Sequence, residues 1–259
     1  MADIAAIAAR LDDAARQARA IPQITGEGGE LPLAEAYAIQ RAAIDHRLAR
    51  GATLVGVKMG FTSEAKMAQM GLKDQIWGRL TSDMVVTNGA TINRARFIHP
   101  RVEPEVAVRL KVPLSGEVSR EEAFAAVDAV AAALEIIDSR YENFRFALGD
   151  VVADNASSSA FVVGPWLSAD TDMSDVAMVM RVDEAVAETG TSAAILGDPV
   201  RSLVAAARLA GSGGLILQPG WTVMLGGATA AAAIGSARTV SLDAGHLGRV
   251  GFTIEGDAA

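Results

Sequence analysis

The sequence predicts an α+β fold in which a helical N-terminal portion is followed by a large mixed or antiparallel sheet system. Apolar residues recur at helical spacing over residues 1–50, whereas short runs rich in Val, Ile and Met, separated by Gly, Pro, Asn and Asp, begin at Thr53 and are typical of strands. These segments do not follow a regular β–α–β alternation, which disfavours a doubly wound sheet. We therefore divide the chain into a helical portion, residues 1–52, and a second unit, residues 53–259.

Two helices are predicted in the N-terminal portion, and a strand and a short helix directly after it. Ile4, Ile7 and Leu11 mark the apolar face of the first helix, and Leu33 and Tyr37 begin that of the second. A segment rich in Gly and Glu separates the two helices. The run TLVGVKMG predicts the first strand, and a helix over residues 63–70, closed by a glycine, is expected to follow it.

Two further helices carry start signals. Ser119 and Glu122 fit a capping box, in which each side chain accepts a hydrogen bond from the other residue's backbone N–H, and the apolar face of this helix continues to Val130. The Asp-Pro pair at residues 198–199 predicts the N-cap and first turn of a helix that runs through Leu209.

The C-terminal part is predicted to consist mainly of strands and turns. VAMVMRV and VAETGTS flank Asp183 and Glu184 as a hairpin, and the late strands are GWTVMLGG, RTVSL and RVGFTIEG. Residues 209–237 contain no charged side chain and are longer than a membrane-spanning helix requires. Because turns that contain Gly and Pro interrupt this span, we interpret it as short buried strands and turns.

The composition excludes several classes of function. With 31 acidic and 23 basic residues the formal net charge is −8, so a nucleic-acid or anionic membrane surface, which requires clustered Lys and Arg, is not expected. The chain has no cysteine, which excludes disulfides, thiolate nucleophiles and Cys-ligated zinc. The N-terminus lacks the features of a signal peptide and the serine run lacks a G-x-S-x-G context, so we expect a cytoplasmic protein without serine-hydrolase chemistry.

The segment HPRVEPEVAV places two glutamates in an otherwise apolar pattern. In an extended strand, Glu103 and Glu105 project from the same face with Cα atoms about 6.5–7 Å apart. Pro104 cannot donate a ladder hydrogen bond, so the strand is predicted to lie at a sheet edge or to bulge there. Either both carboxylates point to water from a half-exposed strand, or a divalent cation lies between them, since hard ions such as Mg²⁺ bind carboxylate oxygens.

Two other charged residues lie alone in apolar surroundings. Glu135 follows an alanine-rich run, where an unpaired carboxylate is costly to bury, and either a role as a third metal ligand or an ion pair with Arg140 accounts for it. Lys58 is the sole charge of its strand. It is either a lysine that extends to solvent from the strand end, or an active-site lysine that neutralises an anionic substrate or transfers a proton.

Several segments match, in the same order, one group of known enzymes. They are GVKMGFTSEAKMAQMG, IWGRLTSDM, FIHPRVEPEVAV, ALEIIDSRYENFRF, DVVADNASSSAFVVG, AAILGDPVRSLVAAARLA and LGGATAA. Together they resemble the hydratase and decarboxylase branch of the fumarylacetoacetate hydrolase superfamily, the enzymes of aromatic meta-cleavage pathways, over nearly the whole chain. The resemblance implies a fumarylacetoacetase-like fold, a mixed β-sheet sandwich or roll, for a catalytic domain at residues 53–259.

Two activities share this framework: decarboxylation of 4-oxalocrotonate (2-oxohex-3-enedioate) to 2-hydroxypenta-2,4-dienoate and CO2, and hydration of that dienoate. KMGFTSEAKMAQMG and IWGRL are similar to the decarboxylase versions, whereas hydratases usually carry an acidic residue just before the glycine, at the position where this chain has Trp77. The resemblance thus implies a metal-dependent carboxy-lyase, with the hydratase as the alternative. A related alternative, carbon–carbon bond hydrolysis in an acylpyruvate, requires a His and Glu pair that we do not find in the N-terminal part.

The resemblance also implies which residues form the site. The metal ligands correspond to Glu103, Glu105 and Glu135, which would hold Mg²⁺, with Mn²⁺ as a substitute, and the active-site lysine corresponds to Lys58. The implied substrate-binding residues are Ser157, Thr229, Trp77 and Arg79. Because three glutamates and one divalent ion leave a net negative charge, a dianionic substrate requires further cations, for which Lys58, Arg79 and Arg140 are the candidates.

The resemblance further implies a small-molecule dicarboxylate substrate, a homo-oligomer, and a complex with the 2-hydroxypentadienoate hydratase. No nucleic-acid or membrane partner is expected. An alternative from a different class is a weakly active partner subunit that channels substrate to a hydratase. The full set of Lys58 and the three glutamates favours an active enzyme.

Overall fold

A computed structural model describes residues 3–26, 29–62 and 74–256, together with Met67. Its helices are α1 (Ile4–Arg16), α2 (Leu33–Ala49), α3 (Arg120–Ala125), α4 (Leu148–Ala153) and α5 (Pro199–Ser212). Both predicted N-terminal helices are confirmed. Helix α5 begins as predicted, since the Asp198 side chain accepts a hydrogen bond from the Val200 N–H and Pro199 is the first helical residue. The helix predicted over residues 63–70 lies, apart from Met67, outside the described residues.

The strands form two sheets. They are β1 (Leu54–Gly60), β2 (Ile76–Thr81), β3 (Val85–Val86), β4 (Thr91–Asn93), β5 (Arg101–Leu110), β6 (Val127–Ile137), β7 (Ser158–Val163), β8 (Leu167–Ser168), β9 (Ala177–Val182), β10 (Ala185–Thr191), β11 (Thr222–Gly227), β12 (Ala232–Ala233), β13 (Thr239–Asp243) and β14 (Arg249–Glu255). The larger sheet has the order β2-β1-β11-β5-β6-β7-β3, with β12 beside β5 and β8 beside β6, and the smaller has the order β10-β9-β13-β14-β4.

Both sheets are mixed, in agreement with the predicted α+β fold with a mixed or antiparallel sheet system. Strands β1 and β11 pair in parallel, whereas β5 is antiparallel to both β11 and β6. The predicted hairpin of β9 and β10 is confirmed. One apolar core contains buried residues of both sheets, including Val106 of β5 and Phe252 of β14. Because side chains alternate along a strand, β5 directs Val106 to this core and its glutamates to the opposite face.

The prediction of a helix continuing to Val130 is wrong. The capping box of Ser119 and Glu122 is present, but α3 ends at Ala125. Residues 127–137 form β6, which pairs with β5 on one side and with β7 on the other. Alanine has no strong strand preference, and tertiary pairing overrides local propensity here because a strand at this position satisfies the backbone groups of both neighbours.

Pro104 lies in an interior strand and pairs in regular register with Leu134 of β6, so the prediction that its own strand lies at a sheet edge or bulges there is wrong. The extra residue belongs to the neighbouring strand β11. Strand β5 lies between β11 and β6. The Pro104 carbonyl accepts a hydrogen bond from the Ala228 N–H, on the side where the β11 register shifts between Met224 and Gly227. The missing N–H of the proline therefore falls where the ladder is already irregular.

The N-terminal helices pack directly on the sheet that carries Lys58. Tyr37 of α2 stacks on Trp77 of β2 with ring centroids 5.5 Å apart. Gln40 donates hydrogen bonds to the carbonyls of Trp77, at 3.1 Å, and of Val152 in α4, at 2.9 Å. Residues 209–212 belong to the end of α5, and the turns and strands predicted for the rest of the span to residue 237 follow it. Among the described residues no helix is long and apolar enough to cross a bilayer.

A buried ion pair of Arg140 and Asp154 holds the loop before β7. Both side chains are almost fully buried, and Asp154 accepts hydrogen bonds from the Arg140 guanidinium and from the Arg140 N–H, the latter at 3.0 Å. Burial raises the pKa of Asp154 to about 6, although Arg140 opposes the shift. Asp154 thus has the loop-shaping role that its position suggests.

We expect Asp154→Asn to lower the free energy of unfolding by about 3–5 kcal/mol at about pH 8, because it leaves the Arg140 charge buried without a counter-ion. The matched control is Asp128→Asn, which breaks the partly exposed Arg109–Asp128 pair and is expected to cost less than about 1 kcal/mol. Urea denaturation measures both. Equal losses in the two variants would contradict the expectation.

Candidate metal site and active-site cavity

Three carboxylates converge on one face of the larger sheet. Each of Glu103, Glu105 and Glu135 offers an oxygen that lies within 4.8 Å of those of the other two. Glu103 of β5 is paired directly with Glu135 of β6, a register that brings like charges into close contact and is destabilising by itself. The strand alternation inferred from the sequence therefore brings these carboxylates together, and a positive charge is needed to balance their negative charges.

The cluster has the properties of a site for a hard divalent cation. Glu105 and Glu135 are fully buried, and Glu103 is half-buried. One oxygen of Glu105 accepts a hydrogen bond from the Gly226 N–H at 2.8 Å, whereas its Oε1 accepts none from the described residues. Burial and the nearby Glu135 charge raise the pKa of Glu105 well above its ordinary value. An oxygen-only donor set with an unsatisfied buried carboxylate oxygen fits Mg²⁺ or Mn²⁺.

Lys58 supplies a positive charge beside the cluster. Its Nζ lies 2.9 Å from Glu135 Oε2, and the side chain is 4% exposed. Burial alone would lower the pKa of Lys58, but the carboxylates of Glu135, Glu103 and Glu105 outweigh this effect and raise it. The interpretation of Lys58 as a solvent-directed lysine is therefore wrong. Glu135 pairs with Lys58 and not with Arg140.

Glycines in β11 leave space for these side chains. Gly226 adopts a φ of +108°, and a Cβ there would lie 2.2 Å from Thr62 Oγ1. A Cβ on Gly227 would lie 3.0 Å from the carboxyl carbon of Glu103. Any larger residue at either position would displace a wall of the site.

A cavity of about 360 Å³ opens beside the cluster. Lys58 and Glu103 contribute to its polar side, and Phe61, Phe144 and Phe146 contribute to an apolar side. Its remaining lining residues are Met59, Gly60, Thr62, Ile76, Arg101, Ile137, Val151, Ala156, Ser157, Gly227, Ala230 and Ala231. This volume is in the range of small-ligand pockets, and its mixed lining suits a ligand with an apolar body and charged ends.

Ser157 is the member of the serine run that lines the cavity. It is 3% exposed, and its Oγ has no hydrogen-bond partner among the described residues. The residues Asn155, Ala156 and Ser157 all have positive φ values, a strained backbone that turns Ser157 towards the cavity. In contrast, Ser159 Oγ accepts a hydrogen bond from Arg140.

Other residues predicted to bind substrate do not line this cavity. Arg79 donates a hydrogen bond to Gln40, and its Cζ lies 4.5 Å above the Trp77 ring. Both belong to the face of β2 opposite to Gly78, which is paired with Lys58. Direct substrate contact by Trp77 and Arg79 is therefore not supported, and these residues instead fix β2 against α2. Arg140, predicted as a helper cation, is held by Asp154.

Thr229 borders the cavity without lining it. Its Oγ1 donates a hydrogen bond to the Ala230 carbonyl at 2.9 Å, and a Cβ on Gly190 would lie 2.8 Å from its Cγ2. Gly227 and Ala230 on either side of it do line the cavity. Thr229 thus shapes the loop that closes this wall.

Sequence reasoning missed Arg101. This residue lines the cavity, and its Cζ lies 4.4 Å above the Phe144 ring. The signal was present in the sequence, because Arg101 precedes Glu103 by two positions and so shares its face of the strand. The aromatic wall was also missed, since residues 144–146 come from a loop with no periodic pattern.

Comparison with known proteins shows that this chain is similar to several known enzymes. The model of the fumarylacetoacetate (FAA) hydrolase C-terminal family matches residues 54–256. A 4-oxalocrotonate decarboxylase of a Pseudomonas species is 54% identical over 254 residues, which cover 98% of this chain and 99% of that protein. A 2-keto-4-pentenoate hydratase of Burkholderia vietnamiensis is 35% identical over 255 residues, with coverages of 96% and 97%.

One solved structure is similar over almost its full length. It is a 4-oxalocrotonate decarboxylase from Pseudomonas putida G7, complexed with magnesium and adipate. It superimposes with a TM-score of 0.93 at 36% sequence identity and covers 97% of each chain. The fold described above is therefore shared with this solved structure.

Proposed function

The chain belongs to the fumarylacetoacetate hydrolase family, and we propose that it is a divalent-metal-dependent carboxy-lyase that converts 4-oxalocrotonate to 2-hydroxypenta-2,4-dienoate and CO2. The observation that carries the chemistry is the buried cluster of Glu103, Glu105 and Glu135 with Lys58 in contact. The choice of decarboxylation over hydration is supported by the 54% identity to a decarboxylase, against 35% to a hydratase.

The reaction requires stabilisation of negative charge at one end of the substrate. In 4-oxalocrotonate the departing carboxylate is bonded to C5, and the electron pair left by CO2 is conjugated through C4 and C3 with the 2-oxo oxygen. Glu103, Glu105 and Glu135 would hold Mg²⁺, which, when bound, supplies Lewis acidity for the charge that develops on this oxygen. The three carboxylates themselves only hold the ion, so no covalent intermediate is required.

Lys58 balances the charge and supplies the proton. Three carboxylates and a divalent ion leave one negative charge, which the Lys58 ammonium cancels, so that an anionic substrate can enter. When no metal is bound, the neighbouring carboxylates outweigh the effect of burial and raise the pKa of Lys58, which favours its ammonium form. After CO2 has left, transfer of one Lys58 proton to the 2-oxygen gives the enol product, and Lys58 regains a proton from water. The contact with Glu135 holds the ammonium at this position.

Ser157 is assigned to substrate binding. Its hydroxyl is buried at the cavity and has no partner among the described residues, so a substrate carboxylate that accepts its hydrogen bond would satisfy it. The phenylalanine wall provides the apolar surface for the unsaturated carbon chain. Water is thereby kept from the carbons at which negative charge is delocalised.

The decisive experiment incubates chelator-stripped protein with 4-oxalocrotonate, with and without Mg²⁺ or Mn²⁺, and follows CO2 and the dienoate. We expect CO2 release that depends on the metal. If CO2 is absent but supplied 2-hydroxypentadienoate is hydrated, the hydratase assignment replaces ours. If neither reaction occurs, both activities are refuted, and absence of metal from the purified protein would favour the partner subunit of the alternative hypothesis.

Association of the chain with itself and with a hydratase stays a prediction from the family resemblance. The product is an enol that a hydratase consumes, and direct transfer between two sites would protect it from ketonisation in water. Light scattering of the purified chain, alone and mixed with the hydratase, measures both kinds of assembly.

A further inference from the structure

Arg101 is the cation at the cavity that the proposed mechanism does not use. Among the described residues that line the cavity, the charged side chains are Lys58, Arg101 and Glu103. Lys58 is buried against the carboxylate cluster, whereas Arg101 is exposed. The cavity thus has one cation at its buried side and a second at its exposed side.

The Arg101 guanidinium stacks on an aromatic ring and has no anionic partner among the described residues. Its Cζ lies 4.4 Å above the Phe144 ring, an arrangement that orients the planar group. Within the described part of the chain it forms no ion pair with a carboxylate. Arg109, on the same strand and the same face, stacks on Trp166 at 5.2 Å and does have such a partner, Asp128 at 2.6 Å. An oriented guanidinium with free N–H groups is suited to bind a carboxylate.

The position of Arg101 matches the second charge of a dicarboxylate. Arg101 precedes Glu103 on one strand face, so the two Cα atoms are about 6.5–7 Å apart. When the oxo-acid end of a six-carbon substrate lies at the glutamates, its other carboxylate extends from Glu103 towards Arg101. The carbon chain then passes the apolar side of the cavity, which Phe61, Phe144 and Phe146 form. The candidate cations predicted from the sequence, Arg79 and Arg140, are both engaged elsewhere.

On the basis of the proposed function, we propose that Arg101 binds the distal carboxylate of the substrate and makes the site selective for dicarboxylates over monocarboxylates of the same length. The distal carboxylate is the group that departs as CO2, which is neutral. Contact with Arg101 is therefore strongest before the reaction and is lost as the carbon–carbon bond breaks. Arg101 contributes to substrate binding and not to the chemical step.

The test compares two non-reacting ligands of the same length in the Mn²⁺-loaded protein by calorimetry. Adipate is a dianion and hexanoate a monoanion. In the parent protein we expect adipate to bind more tightly than hexanoate. We expect Arg101→Gln to weaken adipate binding by roughly ten- to a hundredfold, the effect of losing one charged hydrogen-bonding partner, and to leave hexanoate binding unchanged. Arg101→Lys should recover part of the loss. The matched control, Arg109→Gln, should bind both ligands as the parent does.

Two outcomes overturn the inference: a parent protein that does not prefer adipate to hexanoate, or an Arg101→Gln variant that retains the preference. Equal weakening of both ligands also overturns it, since this indicates a structural role. The test measures binding and not turnover, so its result does not depend on whether the protein is a decarboxylase. If no CO2 is released but the protein still prefers adipate, the decarboxylase assignment is refuted and the assignment of Arg101 to carboxylate binding is retained. If CO2 is released, a higher KM with unchanged kcat in Arg101→Gln gives independent support.

Discussion

Replacement of Lys58 by alanine is expected to lower kcat for 4-oxalocrotonate by about 10²–10⁴-fold, the range for loss of a positioned acid, while Mn²⁺ still binds. Lys58 is the protonated group in contact with Glu135, and no other described cation lies within ion-pair distance of the cluster. Its removal takes away a positive charge that competes with the metal, so Mn²⁺ affinity should not fall. Stopped-flow absorbance and a Mn²⁺ titration measure the two quantities.

The control for this variant is Lys111→Ala, which removes an exposed lysine just after β5. We expect it to match the parent in both measurements. Near-normal kcat in Lys58→Ala would rule out Lys58 as the proton donor. Loss of Mn²⁺ binding together with activity would show instead that Lys58 is needed to form the carboxylate cluster.

Glu105→Gln is expected to weaken Mn²⁺ binding by at least about a hundredfold, since even partners one step removed from a metal ligand contribute 10- to 100-fold. The amide oxygen of glutamine can still accept the Gly226 hydrogen bond, so the fold should be retained. The metal-free variant should also be no less stable than the metal-free parent, because a buried carboxylate that repels Glu135 is removed. Calorimetric titration and thermal unfolding without metal provide the two readouts.

Glu184→Gln is the matched control, since this glutamate is exposed in the turn between β9 and β10. It should leave Mn²⁺ affinity unchanged. If Glu105→Gln binds Mn²⁺ as tightly as this control, the three-carboxylate assignment is wrong. If it binds no metal and has also lost its cooperative unfolding transition, the assignment is tested next with Glu103→Gln, at the half-buried member of the cluster.

The parts of the site that could be read from the sequence are those with local signals. Glu103 and Glu105 share a face because strand periodicity is fixed, and Lys58 and Glu135 stand out because a single charge in an apolar run demands a partner. The family resemblance identified the same residues. These signals need no knowledge of how the sheets pack.

The parts that could not be read depend on tertiary pairing. The alanines of β6 are compatible with helix and strand, and only the vacant backbone groups of β5 and β7 decide between them. The sequence predicts Trp77 at the cavity because its position separates the branches of the family, and Arg79 because a dianionic substrate requires further cations. Which face of β2 meets the cavity is decided by its pairing with β1, where Gly78 and not Trp77 lies opposite Lys58. Arg101 is different, because it shares the strand face of Glu103, and strand periodicity alone would have placed it beside the cluster.

The contacts of Gln40 couple the N-terminal helices to the larger sheet. One amide group holds the backbone of β2 and of α4 at once, while the Tyr37 ring covers Trp77. Loss of α2 would leave two buried carbonyls without a donor and expose a large aromatic ring, and the strand beside Lys58 would lose its support. We therefore expect the N-terminal helices and the larger sheet to unfold in a single two-state transition. The site residues on the sheet and the helical residues that never touch substrate would then share one folding equilibrium.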